Sequence, residues 1–380
     1  MIAVRELVNL LVDLDERFDE RAQAEALAAL DGAGFRTEIR AGADDRTLAW
    51  IDETFGGSWS SEAFAGSNVV TYRNCAPSGF ATFDPHGLRF KWLRGLATEP
   101  GVGIFGPFGV GPEYRRGIAG RALLTLALTQ LRLRGYARAL IPAVGDARLI
   151  GYYVENAGAR EAEHFNVGDF TPQPVRTVVL ASGSGTNFQS VLDRVTDGTL
   201  PLNVVALVTN NAEAYAIQRA RLADVPGIHV LPWRRKEVAR ADYDAQLLQA
   251  VASVDPELVL LLGWMHLLDG AFVARFPNLI NVHPAFLPLD PAQDDVGMPD
   301  GTRIAAFRGP RAVRDALAAG SEWVGASVHI VTPDTDRGPI LVRKPLRITA
   351  GEDEAQVTEQ LHPIEHQLVD RGIRRWLYER

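Results

Sequence analysis

The chain has 380 residues, of which 47% are hydrophobic and 23% charged, and its formal net charge is −8. That length favours two domains or one large one, and the composition is ordinary for a globular protein with real cores, leaving no reason to expect long disorder. The negative balance argues against broad nucleic-acid affinity through the phosphate backbone. The single cysteine, Cys75, excludes an intramolecular disulfide framework and any cysteine-rich zinc site, so no metal centre is expected and a reducing, cytoplasmic compartment fits. The thiol itself is expected as a small buried hydrophobe.

From the N-terminus, Val4 to Leu30 reads as helical, with Leu7, Leu10, Leu11 and Leu14 forming a core-facing stripe. Acids at Glu6, Asp13, Asp15 and Glu16 break the continuous apolar segment that a signal peptide requires. Strand-like segments follow at Ser67 to Tyr72 and Gly103 to Val110, then a long helix from about Gly117 to Leu133. This is the pattern of a mixed-sheet α+β domain over residues 1–168. Asp169 to Pro174 reads Asp-Phe-Thr-Pro-Gln-Pro and is expected as the domain boundary.

Over 175–380 the pattern changes to apolar runs alternating with helical stretches: Thr177 to Ala181, Val204 to Val208, Ile228 to Leu231, Leu258 to Leu262 and Leu279 to Val282. That alternation predicts a parallel, doubly wound sheet. Ala326 to Val331 and Ile340 to Leu346 complete it before a helix from about Glu354. The most apolar run, Leu258 to Met265, is far too short to span a bilayer, so no membrane partner is expected.

Three segments carry chemistry. Ser182-Gly183-Ser184-Gly185-Thr186-Asn187 follows the first strand of the second domain and precedes a helix beginning near Phe188. Its glycines let backbone N–H groups approach an anion at a helix start, although glycine and serine after a strand also make ordinary turns. The second segment is Asn281-Val282-His283-Pro284, at the carboxyl end of a strand, where open α/β sheets place ligands. Positions i and i+2 share a face, so an amide and an imidazole converge there, a pair suited to the oxyanion of acyl transfer. The third is Thr332 to Pro339, containing Asp334 and Asp336. Its aspartates are either turn formers or, if one lies near His283, a carboxylate that raises the imidazole pKa.

From about Thr177 onward the chain resembles the glycinamide ribonucleotide formyltransferase family. The matching residues are Ser182 to Asn187, Gly263-Trp264-Met265-His266-Leu267-Leu268, Asn281 to Pro284 with Leu287-Pro288, Gly325 to Asp336, and Glu365-His366. The resemblance implies a Rossmann-like domain with a mostly parallel sheet, 10-formyltetrahydrofolate as formyl donor, and the amine of phosphoribosylglycinamide as acceptor. It implies Asn281, His283 and Asp336 as the catalytic set. Gly183, Gly185, Thr186 and Asn187 would hold the ribonucleotide phosphate and Glu365 its ribose. Met265, His266, Leu267, Leu268 and Thr332 would line the folate pocket, with Arg240 partnering the folate's glutamate tail. The sequence departs from the family at His266, where arginine is usual, and at Val324, where histidine is usual. It also carries a longer segment from Leu289 to Arg308, which borders the expected folate entrance and reads as a lid, a specificity element or, the favoured reading, a tolerated surface excursion.

Upstream, Gly106 to Val110 followed by Gly111 to Leu124 reads as strand, glycine-containing turn and helix. With Tyr152-Tyr153 before Gly158-Ala159, it resembles the GNAT acetyltransferase superfamily over roughly Glu38 to Glu163. That likeness implies acetyl-CoA held by Val110, Arg115, Arg116, Gly117, Ala119 and Gly120, with Tyr153, or Tyr152, as the acid. Tyr114 stands where the superfamily usually has glutamine or arginine, and the tyrosine-to-glycine spacing is one residue longer. Small molecules are therefore the expected partners. Hydrolysis of the formyl donor, formylation of a different amine, and a CoA- or metabolite-binding sensor are the competing functions.

Overall fold

The computed structural model describes residues 6–56, 59–84, 99–166, 174–233 and 236–379. Most of the expected boundary, 169–173, lies outside the described residues. Two compact units are present: one holds residues 6–166 together with 297–302 and 377–379, the other 174–296 and 303–376. No helix among the described residues is long and apolar enough to cross a membrane.

The N-terminal unit begins not with the expected helix but with strand β1, Glu6–Asp13, followed by helix α1, Glu20–Gly32. Leu7 to Val12 are all buried. Successive strand residues point to opposite faces, so unbroken burial marks an inner strand rather than an amphipathic helix. The chain continues through β2 (Arg36–Ala41), α2 (Asp45–Phe55), α3 (Trp59–Ala65), β3 (Ser67–Arg73), β4 (Ala76–Phe83) and β5 (Val102–Val110). It then passes through α4 (Ile118–Leu133), β6 (Arg138–Val144), α5 (Ala147–Ala157) and β7 (Arg160–Asn166). The seven strands lie in the order β2-β3-β4-β5-β6-β1-β7, so β1 is inserted between β6 and β7. Cys75 is exposed in the β3–β4 hairpin, where Asn74 and Cys75 both have positive φ. A turn position with left-handed backbone, not a core site, accounts for it.

Strands β5 and β6 run parallel but pair only over Val102–Ile104 against Arg138–Leu140, after which β5 stays with β4 and the two strands part. The start of α4 lies just beyond the free end of β5.

The second unit is built from β8 (Val175–Leu180), α6 (Thr186–Thr196), β9 (Leu202–Thr209), α7 (Ala216–Leu222), β10 (Gly227–Val230), α8 (Arg240–Ala252) and β11 (Leu258–Leu261). It continues with α9 (Gly270–Arg275), β12 (Leu279–His283), the short strands β13 (Asp295–Gly297) and β14 (Arg303–Ala305), and α10 (Ala312–Ala318). The last elements are β15 (Trp323–Ile330), β16 (Ile340–Arg347) and α11 (Glu354–Glu379). The main sheet has the order β10-β9-β8-β11-β12-β15-β16, parallel from β10 to β12 and antiparallel over β15 and β16. Val178, Leu180, Val208, Val259, Leu261 and Leu279 form its core.

That strand order places the site. The chain runs outward from β8 to β10, then returns to the other side of β8 as β11. The crevice at such a reversal opens at the carboxyl ends of the two strands, where helix-bound loops diverge. The loops that begin there are Ser182–Gly185 after β8 and Gly263–Leu268 after β11. The antiparallel end of the sheet is packed closely enough to demand glycine: a Cβ at Gly325 on β15 would stand 2.4 Å from the Lys344 carbonyl oxygen.

Candidate active site

The loop after β8 ends in Gly185, whose φ of +71° only glycine adopts freely and whose Cβ would lie 2.9 Å from that of Ala216. From this residue α6 starts without any side-chain cap, so its first N–H groups are left for a ligand. Arg219 braces the loop, donating from Nε to the Ser184 carbonyl at 2.8 Å and from Nη1 to Gln189. Asn187 donates from Nδ2 to Glu365 Oε2 at 2.8 Å, which joins the residues expected to hold phosphate and ribose. Burial pushes the Glu365 carboxyl pKa up, against the Asn187 hydrogen bond and His362, which pull it down.

The loop after β11 abuts this one: Ser182 N–H donates to the Gly263 carbonyl, and Met265 N–H to Ser182 Oγ. Met265 and Leu267 are 56% and 61% exposed, so two apolar side chains stand in solvent on the loop that abuts the one after β8. His266 is used differently from its neighbours. Its ring sits among Trp233, Tyr243 and Trp264, at centroid separations of 5.4, 5.6 and 5.7 Å, with Nε2 2.9 Å from Asn210 Nδ2. Arg240 lies over Trp233, pairs with both Asp244 oxygens and donates to the Leu267 carbonyl. Its charge is thus already compensated by Asp244, and it fixes the loop as well as facing outward.

Asn281 and His283 end β12, and the antiparallel partner β15 sets His329 opposite Asn281 and Ser327 opposite His283. Asp336 completes the group, with Oδ2 3.6 Å from His283 Nδ1 and Oδ1 3.4 Å from His329 Nε2. The expected catalytic three are therefore brought together, with His329 as a fourth member that the sequence reading did not single out. Its Nδ1 lies 2.9 Å from the Ile330 carbonyl and so carries a proton, while its Nε2 faces both Asp336 Oδ1 and Asn281 Nδ2, the latter at 3.2 Å. The signal for it was the histidine of Gly325-Ala-Ser-Val-His, two residues from Ser327 and so on the same face of the strand.

The chain beyond His283 is held from below. Ser327 Oγ donates to the Ala285 carbonyl and accepts from Leu287 N–H, and the fully buried Arg343 lies 4.2 Å from the Phe286 ring centre and donates to the Leu287 carbonyl. Asp336 has a φ of +52°, uncommon for a non-glycine residue. Gly338 beside it comes so close to the Ile330 carbonyl that a Cβ could not fit. Thr332 hydroxyl donates to the Asp334 carbonyl inside the same loop.

Electrostatics distinguish the two partners. Burial alone would raise the Asp336 pKa, yet the hydrogen bond to His329, the nearby His283 and the Gly309 N–H together hold it well below the usual carboxylate range. For His283 the balance runs the other way. Burial pushes its pKa down, and although Asp336 and the Phe307 carbonyl push up, His329 and Arg308 add to the downward side, leaving the net shift downward. The expectation that Asp336 raises the imidazole pKa thus holds for its own contribution and fails for the sum, because desolvation outweighs it.

The segment expected as a surface excursion reaches this group. The Phe307 carbonyl lies 2.8 Å from His283 Nε2, and Gly309 N–H donates to Asp336 Oδ2 at 2.7 Å.

In the N-terminal unit, Arg116 has a φ of +65°, and α4 starts from Gly117 without a side-chain cap. Arg115 donates from Nε to the Val110 carbonyl. Ala119 belongs to the core. Gly120 faces Tyr152, whose hydroxyl would lie 3.3 Å from a Cβ at that position, is buried with no hydrogen-bond partner among the described residues and has its pKa pushed up by burial to about 12. The Tyr152 ring stacks on Phe108, while the Tyr153 ring, 6% exposed, packs against Phe105 and Phe108. Of the two tyrosines, Tyr152 is the one placed against the helix start.

A family model described as formyl transferase matches residues 175–373. Phosphoribosylglycinamide formyltransferase of Mycobacterium tuberculosis (strain CDC 1551 / Oshkosh) is 36% identical over 201 residues, 53% of this chain and 84% of that protein. The protein of the same name from Escherichia coli (strain K12) is 32% identical over 190 residues, 50% of this chain and 81% of that protein. Among solved structures, glycinamide ribonucleotide transformylase 1 from Symbiobacterium toebii is 32% identical, covering 53% of this chain and 86% of its own, with a TM-score of 0.46.

Proposed function

The chain belongs to the formyl transferase family, and from that premise we propose that it transfers the formyl group of 10-formyltetrahydrofolate to the amine of phosphoribosylglycinamide, in purine biosynthesis. The observation that carries the reading is the convergence of Asn281, His283 and Asp336 at the end of β12, beside the uncapped start of α6. The amine attacks the formyl carbon and a tetrahedral intermediate forms. Asn281 and the protonated His283 donate to its oxyanion. As the intermediate collapses, the bond from carbon to the folate nitrogen breaks, that nitrogen takes up a proton, and the acceptor nitrogen, which has lost one, keeps the formyl group. Asp336, ionised throughout the working range, supports the imidazolium. Gly183, Gly185, Thr186 and Asn187 bind the phosphate through backbone N–H groups, and Glu365 meets the ribose. Met265, Leu267 and Leu268 cover the folate.

The phosphate loop separates this reading from hydrolysis of the donor, since water as acceptor needs no anion site. It also yields a test. An acceptor lacking the phosphate, glycinamide riboside, is expected to react with kcat/KM lower by about a hundredfold or more, the loss of two or more charge-assisted hydrogen bonds. Equal kcat/KM for the two acceptors would remove the loop from substrate binding.

A second reading concerns the N-terminal unit, favoured by the parting of β5 from β6 beyond Ile104 beside the uncapped start of α4. We propose that this cleft binds acetyl-CoA, with the pyrophosphate on the N–H groups from Arg116 to Gly120 and Tyr152 near the thioester. Calorimetric titration of the full chain should detect acetyl-CoA binding, and Gly120→Val, which drives a side chain into Tyr152, should weaken it by about tenfold or more while leaving formyl transfer unchanged. A full chain that binds no acetyl-CoA sinks this second reading.

A further inference from the structure

His283 and Asp336 are closed over. Their side chains are only 6% and 9% exposed, and part of that cover comes from residues 306–309, whose contacts are with the reacting groups themselves. The Phe307 carbonyl occupies the Nε2 side of His283, and the Gly309 N–H occupies Asp336 Oδ2. A carbonyl oxygen can only accept, so Nε2 must carry the proton that it donates to Phe307. A formyl oxygen on its way to becoming an oxyanion would take this same hydrogen bond. The segment therefore holds a substitute for the substrate's carbonyl against the imidazole, and the two cannot occupy Nε2 together.

The segment is fastened at its flanks by charge. Arg308 donates from Nη1 to Asp294 Oδ1 at 2.9 Å, from Nη2 to the Gln293 carbonyl and from Nε to the Asp336 carbonyl. Arg337, next to Asp336, reaches the same Asp294 oxygen and also donates to the Pro291 carbonyl at 2.8 Å. Ala306 N–H donates to the Asp294 carbonyl. Asp294 thus ties both arginines, one from the strap and one from the catalytic loop. Asp294 is 75% exposed while Arg308 and Arg337 are 14% and 34% exposed, so solvent reaches these ties from the carboxylate side and weakens them.

We propose that residues 306–309 are a strap that keeps the catalytic group in a closed resting state, with the Phe307 carbonyl standing in for the formyl oxygen on His283, and that Asp294 is its latch. The inference rests on the reading of His283 as the oxyanion and proton donor of formyl transfer. Substrate entry requires the strap to leave Nε2, and the Asp294 ion pairs set how often it does.

Hydrogen exchange and kinetics on the full chain test it together. In Asp294→Asn the Gly309 amide, bonded to Asp336 in the closed state, should exchange about threefold to tenfold faster without ligand, the scale of losing two exposed ion pairs. Raising ionic strength should do the same to the native chain and little to the variant. The variant's kcat/KM for 10-formyltetrahydrofolate should rise by a similar factor. Unchanged Gly309 exchange in Asp294→Asn overturns the latch. Faster exchange accompanied by lower kcat/KM overturns the strap as a barrier and makes it a support. The exchange measurement needs no substrate, so a chain that shows the exchange change but formylates nothing retains the strap while losing the formyltransferase reading.

Discussion

Replacing His283 with alanine is expected to lower turnover in formyl transfer by roughly a hundredfold or more, with the KM for the ribonucleotide changed only a few-fold. Asn281→Ala should do the same. The split follows from where the two side chains act. Both sit at the end of β12, where the proposed tetrahedral intermediate would develop its charge, whereas the proposed phosphate site is the start of α6, in a different loop. Steady-state kinetics with both substrates varied is the measurement, with thermal unfolding to confirm that each variant is folded. Loss of His283 also frees the Phe307 carbonyl, so a decrease in unfolding temperature is expected and does not bear on the assignment. Near-native turnover in either folded variant would remove that residue from the catalytic set.

Asp336→Asn should cost about a hundredfold in turnover, the scale of a lost acid–base partner, and it should also move the pH profile. The asparagine can still accept from Gly309 N–H, so the loop keeps a hydrogen bond and loses a charge. In the native enzyme the burial that lowers the His283 pKa is partly offset by Asp336 and Phe307. Removing the carboxylate removes one upward influence, so His283 loses its proton at a lower pH. Activity that depends on protonated His283 falls as pH rises through that pKa, and this limb should therefore sit at lower pH in the variant. A pH–rate profile for kcat/KM checks the direction. An unmoved limb in a folded variant would reduce Asp336 to a turn former with its positive φ.

How far the sequence could lead depended on what kind of signal each feature leaves. The strands of the second unit were legible because each is a short apolar run flanked by helical periodicity, and the pair Asn281 and His283 because two residues on one strand face must converge. The same reasoning failed for β1. Leu7, Leu10, Leu11 and Leu14 fit a helical stripe, but Val8, Asn9 and Val12 are buried too, and only the sheet order shows that the segment is an inner strand. Cys75 misled for a related reason: cysteine is usually buried, and the left-handed turn that exposes it left no mark beyond Asn74. His329 depends on the antiparallel register between β12 and β15, which no local pattern specifies. The contacts from Phe307 and Gly309 are made by main-chain atoms, which every residue carries. The net direction of the His283 shift depends on how much water is excluded, and that belongs to the folded group rather than to its neighbours in sequence.

The proposed formyl transfer from folate to a phosphoribosyl amine is tested most directly by product analysis. The purified full chain should be mixed with 10-formyltetrahydrofolate, once with phosphoribosylglycinamide and once with water as the sole acceptor, and both the folate product and the fate of the formyl group followed. Formylated ribonucleotide and tetrahydrofolate are expected in equal amounts, with little free formate in either mixture. Rapid release of formate at the same rate with and without the ribonucleotide would contradict the proposed transfer and identify a hydrolase.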